Sequence, residues 1–536
     1  MNDKTESQEQ IFAFLVEPAA HGCRMARGQA VRRIDTHAAS VFLAGNRALK
    51  VKRAVRFPFL DYSTLAKRKE ACEAELAVNA PYAPEIYHGV VAITREADGR
   101  LAIAGKGRPV EWAVEMQRFD ETRTLDHLAG EIDETLADAL GTAVAAAHEK
   151  APIVEAASWI AALGAYLDQN LEAFRKVPEL FEPEAVGTLD LCSRQAYGRV
   201  EALLAHRGRL GRVRRGHGDL HLGNIALIDG RPVLFDAIEF DPLVAAGDVL
   251  YDLAFLLMDL CERGRPEAAN IVLNRYLTET RTEDLDGLAA LPLFLSLRAA
   301  IRAKVTAARI ERADAHERAE IERSARAYFA FAQRAITPSE SEFVAVGGLS
   351  GTGKTRLARA LAPCIAPMPG AVIVRSDVER KLLFGIAETD KLPEAAYAPE
   401  VSKRVYAALS EKAHRILAAK HSAIVDAVFA QPQERGALAE AAKAINVRLL
   451  GLFLTASPEI RLARVGTRLH DASDAEDAVA RAQERYDLGP INWTQIDASG
   501  TVEETLVRAQ AVLDEHTSHR PLENGVSRKR NSHMVT

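Results

Sequence analysis

The chain has 536 residues, of which 48% are hydrophobic and 26% are charged, and its formal net charge is −6. This length exceeds what one hydrophobic core holds, so we expect several compact lobes, and the composition excludes a disordered or fibrous protein. An acidic chain has no general attraction for nucleic acid or anionic membranes, so we expect neither as a partner.

Five scattered cysteines form no Cys-x-x-Cys pair, which argues against a disulfide framework and a structural zinc site. The polar N-terminus lacks the layout of a secretory signal. The most apolar runs, Val249 to Leu260 and Leu288 to Leu297, are too short to cross a bilayer. We therefore expect a cytoplasmic protein that is not inserted in a membrane.

The N-terminal residues predict a small sheet with one helix. Apolar and β-branched runs separated by turn residues are typical of strands. The predicted strands lie at residues 31–37, 40–43 and 48–52, within 84–103, and at 112–116. A charged helix is predicted from Ser63 to Ala80. On the strand at 48–52, side-chain alternation places Lys50 and Lys52 on one face.

From about residue 131 the apolar spacing becomes helical, and the predicted helices cover residues 132–150, 158–176 and most of 290–335. Between them, residues 206–216 contain five arginines. This stretch has two interpretations: a basic rim for an anionic substrate, and a solvated loop before a strand. The second is favoured, because charge runs are usually solvated.

A kinase-like catalytic loop follows, with His217, Asp219 and Asn224 in the spacing His-x-Asp-x-x-x-x-Asn and Asp236 twelve residues further on. Phosphoryl transfer requires a carboxylate that orients or deprotonates the acceptor hydroxyl, and oxygen ligands that hold Mg²⁺ on the triphosphate. We assign Asp219 to the first role and Asn224 and Asp236 to the second. Glu239 is either a further metal ligand or a solvated charge at a strand end.

Residues of roughly 30 to 330 resemble the aminoglycoside phosphotransferase and choline kinase branch of the protein-kinase-like fold. The catalytic loop carries this resemblance together with Asp248 and Asp252, in Gly-Asp-Val-Leu-Tyr-Asp-Leu-Ala. The resemblance implies a bilobal α+β domain in which Asp252 braces the catalytic loop.

The same resemblance implies a lysine that grips the α and β phosphates of ATP and a helical glutamate that pairs with it. Lys50 and Glu75 match these roles, and Lys52 and Glu73 compete with them. The phosphate-covering Gly-x-Gly-x-x-Gly of protein kinases is absent.

The polar segment 337–342, which contains a proline, predicts a domain boundary. It separates a first domain at 1–336, with an N-lobe at about 25–120 and a C-lobe at about 121–336, from a second domain at 343–515. The polar residues 516–536 predict a disordered tail.

A phosphate loop, Gly-x-x-x-x-Gly-Lys-Thr, follows the apolar run Phe343 to Val346 and leads into a helix-forming segment. In this setting the backbone N–H groups of the loop and the positive end of the helix dipole surround phosphate oxygens. Lys354 would reach the β and γ phosphates of ATP, and Thr355 would place its hydroxyl on Mg²⁺. The residues predicted to bind the nucleotide are Gly348, Ser350, Gly351, Thr352, Gly353, Lys354 and Thr355.

Short apolar strands alternate with helices after the loop, which predicts an α/β P-loop NTPase domain with a parallel sheet and a ligand at the carboxyl ends of its strands. Asp426 ends one such strand and is either a second Mg²⁺-organising carboxylate or a polar strand-end cap. It is followed by Ala427 where many ATP-hydrolysing machines carry a water-activating Glu. This difference favours transfer to a hydroxyl group over mechanical ATP hydrolysis.

Asp377 and Arg380 lie one helical turn apart after the second strand of this domain and would act as acceptor base and substrate anchor. This arrangement resembles polynucleotide 5′-kinases, zeta toxins and gluconate kinases, whose Asp at this site is the acceptor base. A plain helix N-cap at Asp377 is the alternative. Arg464 and Arg468 share a helix face and would close on the phosphates, or form a solvated basic face.

The joint arrangement resembles a bacterial family described as bifunctional aminoglycoside phosphotransferase and ATP-binding proteins. Our leading hypothesis is an ATP- and Mg²⁺-dependent phosphotransferase with two nucleotide-binding modules and a hydroxyl-bearing acceptor. One rival is a P-loop kinase or ATPase regulated by an N-terminal, pseudokinase-like ligand sensor. Another is an ATP-driven remodeller of protein or nucleic acid, against which Ala427 argues.

Overall fold

The computed structural model describes residues 8–24, 30–57, 60–280, 282–466 and 477–518. The chain divides between Pro338 and Ser339 into two compact units, and this division falls within the polar segment 337–342. The final helix ends at Ser518, three residues into the predicted tail, and the rest of that tail lies outside the described residues. In the described part of the chain, no helix combines the length and apolar character needed to cross a bilayer.

The first unit begins with a six-stranded antiparallel sheet in the order β1-β2-β3-β8-β6-β7, accompanied by two helices and a short hairpin. These elements are α1 Gln8–Leu15, β1 Arg32–Asp35, β2 Ala39–Ala44, β3 Arg47–Lys52, β4 Arg56–Phe57, β5 Leu60–Asp61, α2 Leu65–Asn79, β6 Tyr87–Arg95, β7 Leu101–Ile103 and β8 Arg108–Gln117.

The two helices pack on opposite faces of this sheet, because β3 is apolar on one face and basic on the other. Leu49 and Val51 are fully buried in a core that α1 completes with Phe12. The opposite face packs against α2. Lys50 and Lys52 therefore project toward α2, as side-chain alternation predicts.

The rest of the first unit is mainly helical and carries two small two-stranded sheets, β10-β11 and β12-β9. Its elements are α3 Glu134–Lys150, α4 Ala157–Arg175, α5 Pro183–Arg209, β9 Val213–Arg215, β10 Ile225–Ile228, β11 Arg231–Leu234, α6 Pro242–Ala245, β12 Ala246–Asp248, α7 Val249–Glu262, α8 Pro266–Glu279, α9 Leu291–Ala307 and α10 Ala315–Ile336. Every residue of α7 from Val249 to Leu260 is buried, so this helix forms the centre of the lobe.

The arginine-rich stretch 206–216 is the end of α5, a short connection and β9, and both of its interpretations are wrong for two of the arginines. The Arg207 side chain is 2% exposed, and its Nε lies 2.6 Å from Asp248 Oδ2. Arg207 also contacts Asp284 at 2.7 Å, and Arg212 pairs with the same carboxylate. These guanidinium groups are neither a substrate rim nor solvated charges, because buried carboxylates neutralise them inside the lobe.

The second unit is a parallel five-stranded sheet in the order β14-β15-β13-β16-β17 with helices around it. Its elements are β13 Phe343–Gly348, α11 Lys354–Leu361, β14 Val372–Arg375, α12 Ser376–Phe384, α13 Pro399–Ala418, β15 Ala423–Asp426, α14 Pro432–Ala444, β16 Leu449–Thr455, α15 Pro458–Gly466, α16 Asp477–Gln483, β17 Thr494–Asp497 and α17 Val502–Ser518. The phosphate loop joins the central strand β13 to α11, and Asp426 ends the neighbouring strand.

Candidate active sites

The predicted catalytic loop connects β9 to β10, and its residues Asp219 and Asn224 contact each other. Asn224 Nδ2 donates to the backbone oxygen of Asp219 at 2.9 Å and to its Oδ2 at 3.1 Å. Because the amide nitrogen is committed to Asp219, the amide oxygen is the atom left for a cation. The Asp219 side chain is 40% exposed, so a substrate can reach it.

Asp219 is ionised near neutral pH. Burial raises the pKa of its carboxyl, but the hydrogen bond and charge of His221, with smaller effects of His217 and Arg298, outweigh burial and bring the pKa to about 2. His221 Nε2 lies 3.4 Å from Asp219 Oδ2. The site therefore presents a carboxylate that accepts a hydrogen bond and is only a weak base.

Two aspartates on α7 hold the two ends of this loop. Asp252 accepts backbone N–H groups of His217 at 2.7 Å and Gly218 at 3.0 Å, which is the bracing contact that the family resemblance implies. Asp259, which sequence reasoning missed, accepts the N–H of Leu222 at 2.9 Å. The available signal was its spacing of seven residues from Asp252, which places both side chains on one face of a helix.

Asp252 carries a buried charge that its surroundings stabilise. Its Oδ2 lies 3.2 Å from His148 Nε2, and its Oδ1 lies 3.7 Å from Arg298 Nη2. Burial raises the pKa of Asp252, but the hydrogen bond and charge of His148 outweigh it, so the pKa lies well below its usual value. An ionised carboxylate therefore anchors the loop, and it accepts stronger hydrogen bonds than a neutral group does.

The hairpin β10-β11 brings Asp236 beside the catalytic loop. Ile225 pairs with Leu234 in the hairpin, and the N–H of Phe235 donates to the backbone oxygen of Asn224 at 3.0 Å. Asp236 adopts φ 61°, a left-handed conformation that is uncommon for residues other than glycine. Its Oδ1 lies 2.6 Å from Lys50 Nζ, and its side chain is 45% exposed.

Both lysines of β3 reach the same glutamate. Lys50 Nζ lies 2.8 Å from Glu75 Oε1, and Lys52 Nζ lies 2.6 Å from Glu75 Oε2. The competing Glu73 instead pairs with Lys69 on the exposed surface of α2. Burial raises the pKa of Glu75, but the charges of Lys50 and Lys52 outweigh it and hold the pKa at about 2. Lys50 is the lysine that also touches Asp236, which fits the phosphate-gripping role.

Glu239 is not a solvated charge at a strand end, and its carboxylate is paired within the protein and so is not free to bind a metal ion. Its side chain is 7% exposed, and its Oε1 is paired with Lys52. The Tyr62 hydroxyl also donates to that oxygen at 3.2 Å. The partners come from β3 and from the connection before α2, which lie far away in the sequence.

The phosphate loop of the second unit has the backbone geometry that its glycines predict. Gly348, Gly351 and Gly353 all have positive φ values, of 139°, 86° and 92°. At Gly351, a Cβ atom would overlap the backbone oxygen of Arg461, so a side chain has no room there. Gly353 is the N-cap of α11, and the first-turn N–H groups of a helix have no intrahelical acceptor. The loop therefore offers donors to an anion.

Ser350 and Thr352 shape this loop through contacts within the protein. The N–H of Ser350 donates to Gln483 Oε1 at 2.7 Å, and Arg461 Nε donates to the Ser350 backbone oxygen at 2.8 Å. The Thr352 hydroxyl donates to the Leu349 backbone oxygen at 2.8 Å. We predicted that Ser350 and Thr352 bind the nucleotide. The groups named above instead form hydrogen bonds within the protein. Arg461, which fixes the loop, was not among the predicted site residues.

Thr355 and Asp426 meet at the carboxyl edge of the sheet. The Thr355 hydroxyl donates to Asp426 Oδ2 at 2.6 Å, and Arg375 Nε lies 3.7 Å from the same oxygen. Asp426 is 4% exposed, and the register pairs it with Val346 at the start of the phosphate loop. A hydroxyl and a carboxylate oxygen at this position fit the hard-cation chemistry of Mg²⁺, whereas a simple strand-end cap does not require the Thr355 contact.

Asp377 is the second residue of α12, whose N-cap is Arg375, so the N-cap interpretation of Asp377 is wrong. Its role as acceptor base stays a prediction. Arg380, predicted to anchor a substrate, is 8% exposed, and its Nη1 donates to the backbone oxygen of Ala396 at 2.6 Å. That guanidinium therefore holds the segment before α13.

Arg464 lies beside the phosphate loop but donates to backbone oxygens. Its Nη1 bonds Ala498 at 2.8 Å and lies 3.5 Å from the Thr352 oxygen, and its Nη2 bonds Gly500 at 2.7 Å. These contacts are not those of a solvated basic face, and phosphate binding by Arg464 stays a prediction. Arg468 lies outside the described residues.

Within the described ranges, no group of three or more His, Cys, Asp or Glu side chains is placed to hold a metal ion. Mg²⁺ in phosphoryl-transfer sites takes one or two protein ligands, and substrate phosphates and water supply the rest. The donor sets Asn224 with Asp236, and Thr355 with Asp426, fit that requirement in number and chemistry.

Comparisons with known proteins agree with this architecture. Residues 33–291 match the family described as phosphotransferase enzyme family, and residues 343–487 match the family described as AAA domain. An uncharacterized protein of Mycobacterium tuberculosis is 27% identical over 488 residues, which make up 89% of this chain and 94% of that protein.

Two solved structures resemble the separate halves. A choline/ethanolamine kinase family protein from Mesorhizobium loti is 14% identical, with a TM-score of 0.34, over 61% of this chain and 98% of that chain. A gluconokinase from Sinorhizobium meliloti is 21% identical, with a TM-score of 0.25, over 34% of this chain and 96% of that chain. The family matches confirm the two-domain fold class predicted from the motifs. The chain is therefore similar to the phosphotransferase enzyme family over residues 33–291 and to the AAA domain over residues 343–487.

Proposed function

We propose that this protein is an ATP- and Mg²⁺-dependent phosphotransferase with two nucleotide-binding modules, and that it transfers the γ-phosphate of ATP to a hydroxyl group. One observation carries the proposal: the catalytic loop presents an ionised, partly exposed Asp219 beside Asn224, while Lys50 contacts both Glu75 and Asp236. These are the groups that phosphoryl transfer needs, and they form two sets of contacts, Asp219 with Asn224 and Lys50 with Glu75 and Asp236.

In the first unit, Lys50 would bind the α and β phosphates, and Asn224 and Asp236 would hold Mg²⁺. The metal ion, when bound, neutralises charge that develops on the phosphates. Asp219 accepts a hydrogen bond from the acceptor hydroxyl. As the oxygen–phosphorus bond forms and the bond to the ADP oxygen breaks, the hydroxyl proton passes to Asp219. A carboxylate with a pKa of about 2 is a weak base, so its main effect is to orient the hydroxyl.

In the second unit, Lys354 would contact the β and γ phosphates, and Thr355 and Asp426 would organise Mg²⁺. Asp377, in the first turn of α12, would engage a second acceptor hydroxyl.

We also propose that the protein is located in the cytoplasm. This location is supported by four free thiols, those of Cys72, Cys192, Cys261 and Cys364, because the cytoplasm keeps thiols reduced.

One observation favours a second candidate, in which the first unit senses a ligand and regulates the P-loop unit. The strands β1 and β2 are joined by a tight turn in which the N–H of Thr36 donates to the Ala39 backbone oxygen at 2.8 Å. This connection lacks the glycine-rich sequence that covers the phosphates of ATP in protein kinases. Titration of the full-length Lys354→Ala variant with Mg²⁺-ATP separates the candidates, because a pure sensor would bind none in the first unit.

The proposal is tested with γ-labelled ATP and a metabolite extract, and labelled products are identified by mass spectrometry. We compare the wild type with Asp219→Asn, Lys354→Ala and the double variant. Each single substitution should remove the products of one module, and the double variant should form none. Asp168→Asn and Lys443→Ala, whose side chains are 70% and 73% exposed, are the matched controls. Undiminished label transfer by the double variant would refute the proposal.

A further inference from the structure

The first unit contains a second buried lysine that the proposed chemistry does not use. Lys52 pairs with Glu75 at 2.6 Å and also with Glu239. The side chains of Lys52, Glu75 and Glu239 are 3%, 0% and 7% exposed, so the cluster is closed to solvent. Lys50 is the lysine beside Asp236, which leaves Lys52 without a role in phosphate binding.

Glu239 belongs to the segment 235–239, and every residue of this segment has a partner. His217 bonds the backbone of Phe235 and Ile238 at 2.9 Å, and Asn79 bonds both backbone groups of Ala237, at 2.7 and 3.1 Å. The N–H of Asp236 donates to the Tyr87 hydroxyl at 3.1 Å, and Glu239 completes the series with Lys52 and Tyr62. A left-handed aspartate persists only when its neighbours determine its conformation, and this segment supplies such neighbours.

We propose that Lys52 and Glu239 are positioning residues of the first unit, whose buried ion pair fixes segment 235–239 so that Asp236 is presented to Lys50 and to the cation of Mg²⁺-ATP. This inference rests on the proposed function and extends it from the groups that touch substrate to the pair that aligns them. Tyr62 contributes through its hydrogen bond to Glu239, and Glu75 links the pair to Lys50.

A structural role alone does not explain why these residues are charged. Buried ion pairs lose hydration, and apolar residues of similar volume often replace them with neutral or favourable effects on stability. The charges do fix side-chain positions, because the single carboxylate of Glu75 holds both Lys50 and Lys52 of strand β3 in place. Outer-shell partners of metal ligands act in this way, and their loss lowers metal affinity about 10- to 100-fold.

A double variant can remove the buried ion pair without changing the net charge of the site. Together with Lys50 and Asp236, which adjoin it, the cluster has two lysines and three carboxylates, a net charge of −1. The double variant Lys52→Met/Glu239→Gln loses one charge of each sign and keeps the same net charge. A loss of Mg²⁺-ATP binding is then not explained by a change in net charge.

The test uses the full chain with Lys354→Ala as the parent, so that the second nucleotide module is silent. Calorimetry measures the Kd for Mg²⁺-ATP, and amide hydrogen exchange reports on peptides that cover 233–241. We expect the double variant to raise the Kd about tenfold and to speed exchange in segment 235–239. The control is Lys69→Met/Glu73→Gln, an exposed pair on α2 with a separation of 2.7 Å, which should change neither readout.

Unchanged exchange in segment 235–239 of the folded double variant would overturn the inference. Should the double variant not fold, Glu239→Gln alone decides by the same readouts, because it leaves the Lys52 to Glu75 contact in place. The exchange readout needs no nucleotide. Failure of the proposed function, seen as no Mg²⁺-ATP binding by the parent, is therefore distinguishable from failure of this inference.

Discussion

Replacing Asp252 by Asn should loosen the catalytic loop while leaving its sequence intact. The carboxylate accepts the N–H groups of His217 and Gly218 on its two oxygens, and both contacts are buried. Asn keeps only one acceptor oxygen, so one N–H faces an NH₂ group and loses a charge-assisted bond. Such a loss costs about 2 kcal/mol. At 1.36 kcal/mol per factor of ten, local opening of the loop should become about 30 times more frequent.

Amide hydrogen exchange on peptides that span residues 217–224 measures this opening directly, and phosphoryl transfer in the Lys354→Ala background should fall about 100-fold because Asp219 is misplaced. The matched control is Asp248→Asn, which removes a buried carboxylate from its contacts with Arg207 at 2.6 and 2.8 Å without touching the loop. If the two variants show the same loop exchange and the same activity at equal stability, Asp252 does not brace the loop.

Three further predictions concern single residues. Asp219 has a pKa of about 2 and stays ionised at every pH above about 3, so first-unit transfer should show no acid limb between about pH 4 and 6; a limb that Asp219→Glu moves would contradict this. Burial lowers the pKa of His421 to about 4. As pH falls below about 6.5 the unfolded chain therefore binds a proton that the folded chain refuses, and up to about 3 kcal/mol of stability is lost by pH 4; urea unfolding should show this loss, and His421→Gln should flatten it. Gly351→Ala should abolish ATP binding to the second unit in calorimetry, because φ is 86° and Arg461 fills the space, whereas Gly436→Ala, in the open middle of α14, should bind normally.

Local signals were sufficient where short-range chemistry dictates the structure. The phosphate loop was predictable because its glycines adopt backbone conformations that other residues rarely reach, and Gly351 and Gly353 do so. The catalytic loop was predictable because Asp219 and Asn224 are five residues apart and contact each other directly. Strand alternation likewise placed Lys50 and Lys52 on the correct face of β3.

Partners that lie far apart in the sequence were not predictable from local patterns. Arg207 finds Asp248 and Asp284 across separations of 41 and 77 residues, so its run of charges suggested solvent where the fold supplies carboxylates. The partners of Glu239 and Arg380 were missed for the same reason, because each side chain contacts a group from another element, Lys52 for Glu239 and Ala396 for Arg380. Only three-dimensional packing distinguishes a buried charge from a solvated one.

The attachment of the catalytic loop to α7 has a genetic consequence. Both anchoring carboxylates project from a helix whose residues from Val249 to Leu260 are all buried. A slight shift of that helix, such as a cavity at Leu253 or Leu256 would cause, tilts the loop without exposing the core. Heat-sensitive alleles of the first unit should therefore cluster on α7, and they should yield abundant but inactive protein.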